Sequence, residues 1–285
     1  MPRVVCAGHV NWDVTLRVDR LPGPDDEARI VDETHSGGGS ASNVAVVLAG
    51  LDVDATLLGS VGSDEYGERT RRELTGAGVD TRLVESGGGT AVKYALVDAD
   101  GEVAVLGNDG ANEAYAPEDL PDEDLAAADH LHLTGQDPET ARALARRAAD
   151  AGVPVSFDPG RRLGDREYDA VLEHVDTLFC NDREATVAAE VGLLSAVPRV
   201  VVTDGAGGAR LEADGRTVSH GGFDVDPIDT TGAGDAFAAG YLAARFEGDE
   251  AYALAVGNVC GALAARTVGA RVQADWREVE ALLDG

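Results

Sequence analysis

Between Val4 and Phe246 the chain alternates two hydrophobic periods. The runs Val4-Val5-Cys6-Ala7-Gly8, Leu131-His132-Leu133, Val153 to Phe157, Thr177 to Cys180 and Arg199 to Thr203 are short, apolar and rich in β-branched residues, as buried strands are. Interleaved with them, Gly39–Leu51, Pro138–Ala151, Arg183–Val191 and Gly234–Phe246 place apolar residues at helical spacing. Strand followed by helix, repeated, leaves few architectures. Each helix must cross over between parallel strands, and both faces of the sheet become covered. The expected class is therefore α/β, with a central, mostly parallel sheet flanked by helices on both faces. Ligands of such sheets collect beyond the carboxyl ends of the strands, so segments immediately after strands are the candidates for chemistry.

Two stretches depart from this rhythm. Val14–Val18 and Ala28–Thr34, joined through Leu21-Pro22-Gly23-Pro24-Asp25, alternate in polarity. So do Ala91–Val97 and Glu102–Leu106, joined at Asp98-Ala99-Asp100-Gly101. They predict a small four-stranded sheet outside the core, formed by about 14–35 and 90–107. A sheet with one apolar face must cover something, either the substrate as a lid or the lid of a second subunit. The expectation is one domain over 1–285, with a homodimer formed through the lid.

With 285 residues and 44% hydrophobic content the chain can bury one large core, and no apolar run reaches the roughly 20 residues needed to span a bilayer. A cytoplasmic protein is expected. Cys6, Cys180 and Cys260 are far apart in apolar sequence and read as buried, reduced thiols. A formal charge of −29 argues against nucleic acid or an anionic membrane as partner. The acid is dispersed and Lys93 is the only lysine, a pattern resembling proteins adapted to molar salt.

The segment Asp229-Thr230-Thr231-Gly232-Ala233-Gly234-Asp235-Ala236-Phe237, followed by an Ala-rich helix, carries the most chemistry. Successive amides at a helix N-terminus form an anion hole, and glycines let a phosphate approach the backbone. Asp235 in the first turn is either an N-cap or a base that takes a proton from an attacking hydroxyl.

Asp229–Phe237 resembles the C-terminal signature of the ribokinase-like (PfkB) carbohydrate kinases, in which the final Asp is the catalytic base. Gly37-Gly38-Gly39-Ser40-Ala41-Ser42-Asn43 is similar to that family's N-terminal motif, whose glycines and Asn contact sugar hydroxyls. The resemblance implies a ribokinase-like fold and ATP-dependent phosphorylation of a small sugar. Asp235 becomes the base, with the amides of Gly232, Ala233 and Gly234 stabilising the transferred phosphoryl group. Asn11, Asp13, Gly38, Gly39 and Asn43 become the sugar site. Asn181-Asp182-Arg183-Glu184 resembles the motif that organises magnesium near the ATP phosphates, with Glu184 acting through water. Thr203, Gly205 and Gly208 match the turn under the nucleotide, and Asn258 a residue bordering the adenine. In related enzymes a monovalent cation, usually potassium, lies beside the anion hole, which points to Asp229 and Thr231 with carbonyls near Val268-Gly269-Ala270. Asn258 and Glu184 also have plain structural readings, as a buried amide paired to backbone and as an acid at a helix start.

For the acceptor, Ser156-Phe157-Asp158-Pro159-Gly160-Arg161-Arg162 resembles a segment of fructokinase- and 2-keto-3-deoxygluconate-kinase-like members, with Gly160 in place of the usual Asn. Arg161 and the solitary Lys93 tilt the expectation toward an acidic substrate, a sugar acid or a sugar phosphate. The favoured reading is a 2-keto-3-deoxygluconate- or fructose-like acceptor, the alternative a ribose or nucleoside kinase. A P-loop enzyme is excluded because no Gly-Lys pair exists, and the absence of a Gly-x-Gly-x-x-Gly run weakens a dinucleotide enzyme. His130-x-His132 reads as core or strand-end histidines rather than half a metal site. A catalytically silent sugar-binding sensor is the rival from another class, opposed by the intact Asp235.

Overall fold

A computed structural model of the chain describes residues 1–190 and 192–284. The first half contains β1 Arg3–Ala7, β2 Asn11–Val18, β3 Ile30–Gly38, α1 Ser40–Gly50, β4 Asp54–Gly62, α2 Glu65–Gly76, β5 Asp80–Ser86, β6 Ala91–Val97, β7 Val103–Gly107, α3 Asp122–Ala126, β8 His130–Thr134 and α4 Pro138–Asp150. The second contains β9 Val155–Asp158, α5 Asp169–Leu172, β10 Thr177–Asn181, α6 Asp182–Glu190, β11 Arg199–Thr203, β12 Ala209–Ala213, β13 Arg216–His220, α7 Ala233–Arg245, α8 Glu250–Ala265 and α9 Trp276–Leu283. Val191, which the sequence assigns to the end of α6, lies outside the described residues.

Nine strands form the main sheet in the order β13-β12-β11-β10-β9-β8-β1-β4-β5. From β11 to β5 every neighbouring pair is parallel, while β12 and β13 add an antiparallel edge. Helices cover both faces, as the alternation requires. On one face Leu48 of α1, Phe237 and Tyr241 of α7 and Leu254 of α8 share a core with Leu57 of β4. On the other, Leu144 and Ala148 of α4, Phe157 of β9 and Tyr168 pack together. Leu48, Leu57 and Leu144 are fully buried, each stabilising the fold by on the order of 2 kcal/mol. All three cysteines are free and buried, and burial pushes the thiols of Cys180 and Cys260 up to about 12. His130 and His132 both meet the Ser156 hydroxyl at 2.8 Å, and burial lowers them to about 4 and about 3, so they are neutral core groups. Among the described residues no helix is long and apolar enough to cross a membrane.

The separate four-stranded sheet has the order β3-β2-β6-β7, with β2 and β6 parallel at its centre. Its anchoring face packs Trp12, Val14 and Val92 against α2, where Tyr66 stacks on Trp12 with centroids 5.6 Å apart and Arg69 covers the same indole. The strands reach further into the molecule than alternation in sequence showed. β2 starts at Asn11 and β3 ends at Gly38, so polar positions that read as loop are strand residues on the face opposite Trp12.

Candidate active site

The site forms where the carboxyl end of the main sheet, the N-termini of α1 and α7, and the inner ends of β2, β3 and β6 meet. Asp235 lies in the first turn of α7 and is half-buried. Its Oδ2 accepts a hydrogen bond from Asn43 Nδ2 at 2.8 Å, across 192 residues of sequence. Burial pushes the Asp235 carboxyl above the usual carboxylate range, while Asn43, Ser40 and the charge of Lys93 draw it back. A carboxylate held this way is desolvated and oriented.

Asp13 shares the chamber. Burial raises its carboxyl too; Lys93 and Arg271 oppose that shift, and the negative charges of Asp235 and Asp229 add to it. Asp13 and Lys93 are register partners on the parallel strands β2 and β6, so their side chains leave the same face. Asp13 Oδ1 and Asn43 Oδ1 are buried without a hydrogen-bond partner among the described residues. Acceptors so placed are completed by hydroxyl donors of a ligand. Glycine lets the loop close on these groups: a Cβ on Gly38 would stand 2.2 Å from Asp13 Oδ2, and one on Gly39, at φ +97°, would lie 2.4 Å from the His9 carbonyl. Asn11 Oδ1 accepts from Asn112 Nδ2 at 2.8 Å.

At the head of α7, Gly232 is left-handed with φ +79°. One expectation needs correction here. The amide of Ala233 donates to the Thr230 carbonyl at 3.2 Å, closing the turn, so it is not a free anion-hole donor. The amides of Gly232 and Gly234 carry no such bond, and a Cβ on Gly234 would meet nothing within 4 Å. Asp229 accepts from Thr231 N–H at 2.9 Å and from Gly269 N–H at 3.0 Å, which brings 229–231 against 268–270. The Asp229 carboxylate thus already holds two amides.

At the end of β10, Asn181 and Glu184 make a reciprocal cap at the start of α6: Glu184 Oε2 accepts from Asn181 N–H at 2.9 Å, and Asn181 Oδ1 from Glu184 N–H at 3.0 Å. Asp158, at the end of β9, is pushed well above the carboxylate range by burial, and the charges of Glu184 and Asp235 add to the shift. Among the described residues no group of three or more His, Cys, Asp or Glu is arranged to hold a metal. This donor set suits magnesium held mainly by phosphates and water, with carboxylate help. Thr203 ends β11, and Gly205 and Gly208 bracket the turn that follows it. Asn258 Nδ2 donates to the carbonyls of His220 and Gly221, both at 3.2 Å, and Gly208 packs against that His220 carbonyl. Its amide is therefore spent on backbone, fixing the wall beside the Gly-rich turn. Arg161 is exposed in the short turn Gly160–Arg162 and makes no side-chain hydrogen bond or ion pair among the described residues.

Several residues at this site carry no motif in the sequence. Arg271 is buried beneath the glycine loop, where it meets Glu73 at 2.9 Å and Ser42 Oγ at 2.8 Å. Asn112, Glu113 and Arg166 come from two distant loops, and only the fold brings them to Asn11. Glu113 offers one signal after the fact, a non-glycine residue at φ +63°.

The sequence of the family described as pfkB family carbohydrate kinase matches residues 1–277. An ATP-dependent ribose-1-phosphate kinase of Halopiger xanaduensis is 56% identical over 280 residues, covering 95% of this chain and 94% of the relative. The nucleoside kinase of Methanocaldococcus jannaschii superposes with a TM-score of 0.87 at 25% identity, covering 100% of this chain and 98% of the other. A ribokinase of Thermotoga maritima reaches a TM-score of 0.89 at 24% identity over the full length of both chains.

Proposed function

The chain belongs to the pfkB family of carbohydrate kinases, and we propose that it transfers the γ-phosphoryl group of ATP to a hydroxyl of a pentose that already bears a phosphate ester, ribose 1-phosphate foremost. The 56% identical ribose-1-phosphate kinase supports this acceptor. It displaces the preference for a 2-keto-3-deoxygluconate- or fructose-like substrate, for which exposed Arg161 offers no carboxylate partner site. Of the two acidic classes that Lys93 pointed to, the sugar phosphate is retained.

One observation carries the mechanism: Asp235, oriented by Asn43 at the head of α7, stands in the same chamber as Asp13. Asn11, Asp13 and Asn43 hold the sugar hydroxyls, with Gly38 and Gly39 letting the loop backbone close against Asp13 and His9 beside the sugar. Asp235 accepts the proton of the attacking hydroxyl as its oxygen bonds to the γ-phosphorus; the bond to the β,γ-bridging oxygen breaks, and ADP leaves. The amides of Gly232 and Gly234 face the charge on the transferred group. Glu184 and Asn181 would hold magnesium through water, and the ion would supply neutralisation of the phosphate charge. Thr203, Gly205 and Gly208 form the nucleotide floor, backed by Asn258. A potassium ion would fit between 229–231 and 268–270, using carbonyls and Thr231 more than the occupied Asp229 carboxylate. The four-stranded sheet is the lid, carrying Lys93 over the site.

A coupled ADP-release screen in high potassium chloride tests the acceptor, using ribose 1-phosphate, ribose, fructose, 2-keto-3-deoxygluconate and nucleosides. The expected order puts ribose 1-phosphate first in kcat/KM. A higher kcat/KM for any unphosphorylated acceptor would overturn the assignment.

A further inference from the structure

We infer that His9 and Arg166, held in place by Glu113, form the subsite for the substrate's existing phosphate, at the end of the sugar remote from Asp235. This inference rests on the phosphorylated-pentose reading above. A second anionic group on the substrate needs cationic donors inside the cleft, and in a chain of charge −29 such donors are few. Arg271, beneath the loop, and Lys93, the register partner of Asp13, both stand beside Asp13 at the attacked end.

One unbroken line of contacts leads from the sugar site to Arg166. Asn112 bonds Asn11 through Nδ2 and the Val10 amide through Oδ1 at 3.3 Å. The next residue, Glu113, meets His9 Nε2 at 2.8 Å and takes two hydrogen bonds from Arg166, at 2.7 and 3.2 Å. Burial alone would raise the Glu113 carboxyl; His9 and Arg166 bring it down to about 2, so it is a permanent anion that orients both. With a left-handed backbone at φ +63°, Glu113 spends conformational energy to be there. His9 itself joins β1 to β2 and passes its carbonyl beside Gly39, which ties this segment to the glycine loop.

A second observation points to a missing ligand at the same place. Tyr168, close enough to Arg166 to share a hydrogen bond, donates its hydroxyl to the Gln136 carbonyl at 3.0 Å. The Gln136 side chain is fully buried, yet both its Oε1 and its Nε2 lack partners among the described residues, as do Thr134 Oγ1 and Tyr115 Oη. Buried polar atoms without partners are costly unless something polar completes them. A phosphate monoester is bulky, accepts many hydrogen bonds and matches the planar fork of an arginine.

The test compares kcat/KM for ribose 1-phosphate with that for ribose in the wild type, Arg166→Gln, Arg166→Lys and His9→Gln, each checked for folding by thermal melting. Arg166→Gln is expected to lower the ratio by about 10- to 100-fold, the loss of a charge-assisted hydrogen bond, with Arg166→Lys falling between it and the wild type. His9→Gln, which keeps a donor to Glu113, is expected to lower the ratio by less, and it carries the test if both Arg166 variants fail to fold. A ratio within about twofold of wild type in every folded variant would overturn the subsite while leaving the acceptor assignment intact. A wild type that prefers ribose would overturn the acceptor assignment and the subsite with it.

Discussion

Asp235 is raised by burial, yet it must be ionised to accept a proton, and these two demands make it a residue at which activity and stability oppose one another. An acid whose folded pKa lies above its unfolded value, about 3.9, costs the fold stability as pH rises through the window between them. Below that window both states are protonated and the cost vanishes. Asp235→Asn keeps an acceptor for Asn43 but cannot ionise. It is expected to lower turnover by about 10²–10⁴ with ATP affinity retained, and to melt at a higher temperature than wild type at pH 7. That advantage should shrink as pH falls toward about 4. Steady-state rates and melting curves between pH 4 and 8 check both halves, and wild-type turnover in the variant would remove Asp235 as base. Asp235, Asp13 and Asn43 were legible in the sequence because each sits in a compact motif just after a strand or at a helix start. Arg166 and Glu113 were not, since single charged residues on long loops are indistinguishable from solvated surface until the fold assembles them.

At the scale of elements, the turn entering α7 uses two glycines for different reasons. Gly232 is required by the protein itself: its φ is +79°, and a Cβ would lie 2.2 Å from the Ala270 carbonyl. Gly234 is not, since a Cβ there meets nothing. Its smallness therefore serves whatever approaches the helix end. Gly232→Ala should lower the melting temperature by several degrees, the consequence of more than about 1 kcal/mol of strain. Gly234→Ala should melt like wild type and still lose kcat by tenfold or more, because the methyl group occupies the path of the transferred phosphoryl group. Comparable melting losses in both, with kcat retained in Gly234→Ala, would reject the distinction. Legibility also varied by element for a physical reason. The central strands β1, β8, β9, β10 and β11 are buried on both faces and announce themselves as apolar runs. The edge strand β5 is half-buried along its length and β13 is largely exposed, and β4 is interrupted by Gly59 and Ser60, so neither pattern singled them out.

The whole molecule sets its two largest unsatisfied features against each other. Val103 and Val105, each 57% exposed, lie farther out on the lid face that carries Lys93, and Ile30 and Val31 on β3 are exposed to a similar degree. A second copy of the lid would cover such a surface, which supports the homodimer proposed from the sequence. Each copy, however, brings a formal charge of −29. Long-range repulsion between copies acts over about 10 Å in 0.1 M salt and about 3 Å in 1 M, whereas apolar burial is not weakened by salt. Association should therefore be conditional on ionic strength. Sedimentation velocity is expected to show a dimer in 2 M potassium chloride that dissociates in 0.1 M, with the melting temperature rising over the same range. Joint replacement Val103→Glu and Val105→Glu should leave a folded monomer at both salt concentrations, because it removes the apolar area and adds charge where the copies meet. A wild type that stays monomeric in 2 M salt, or a double variant that still dimerises, would place the subunit contact elsewhere or nowhere.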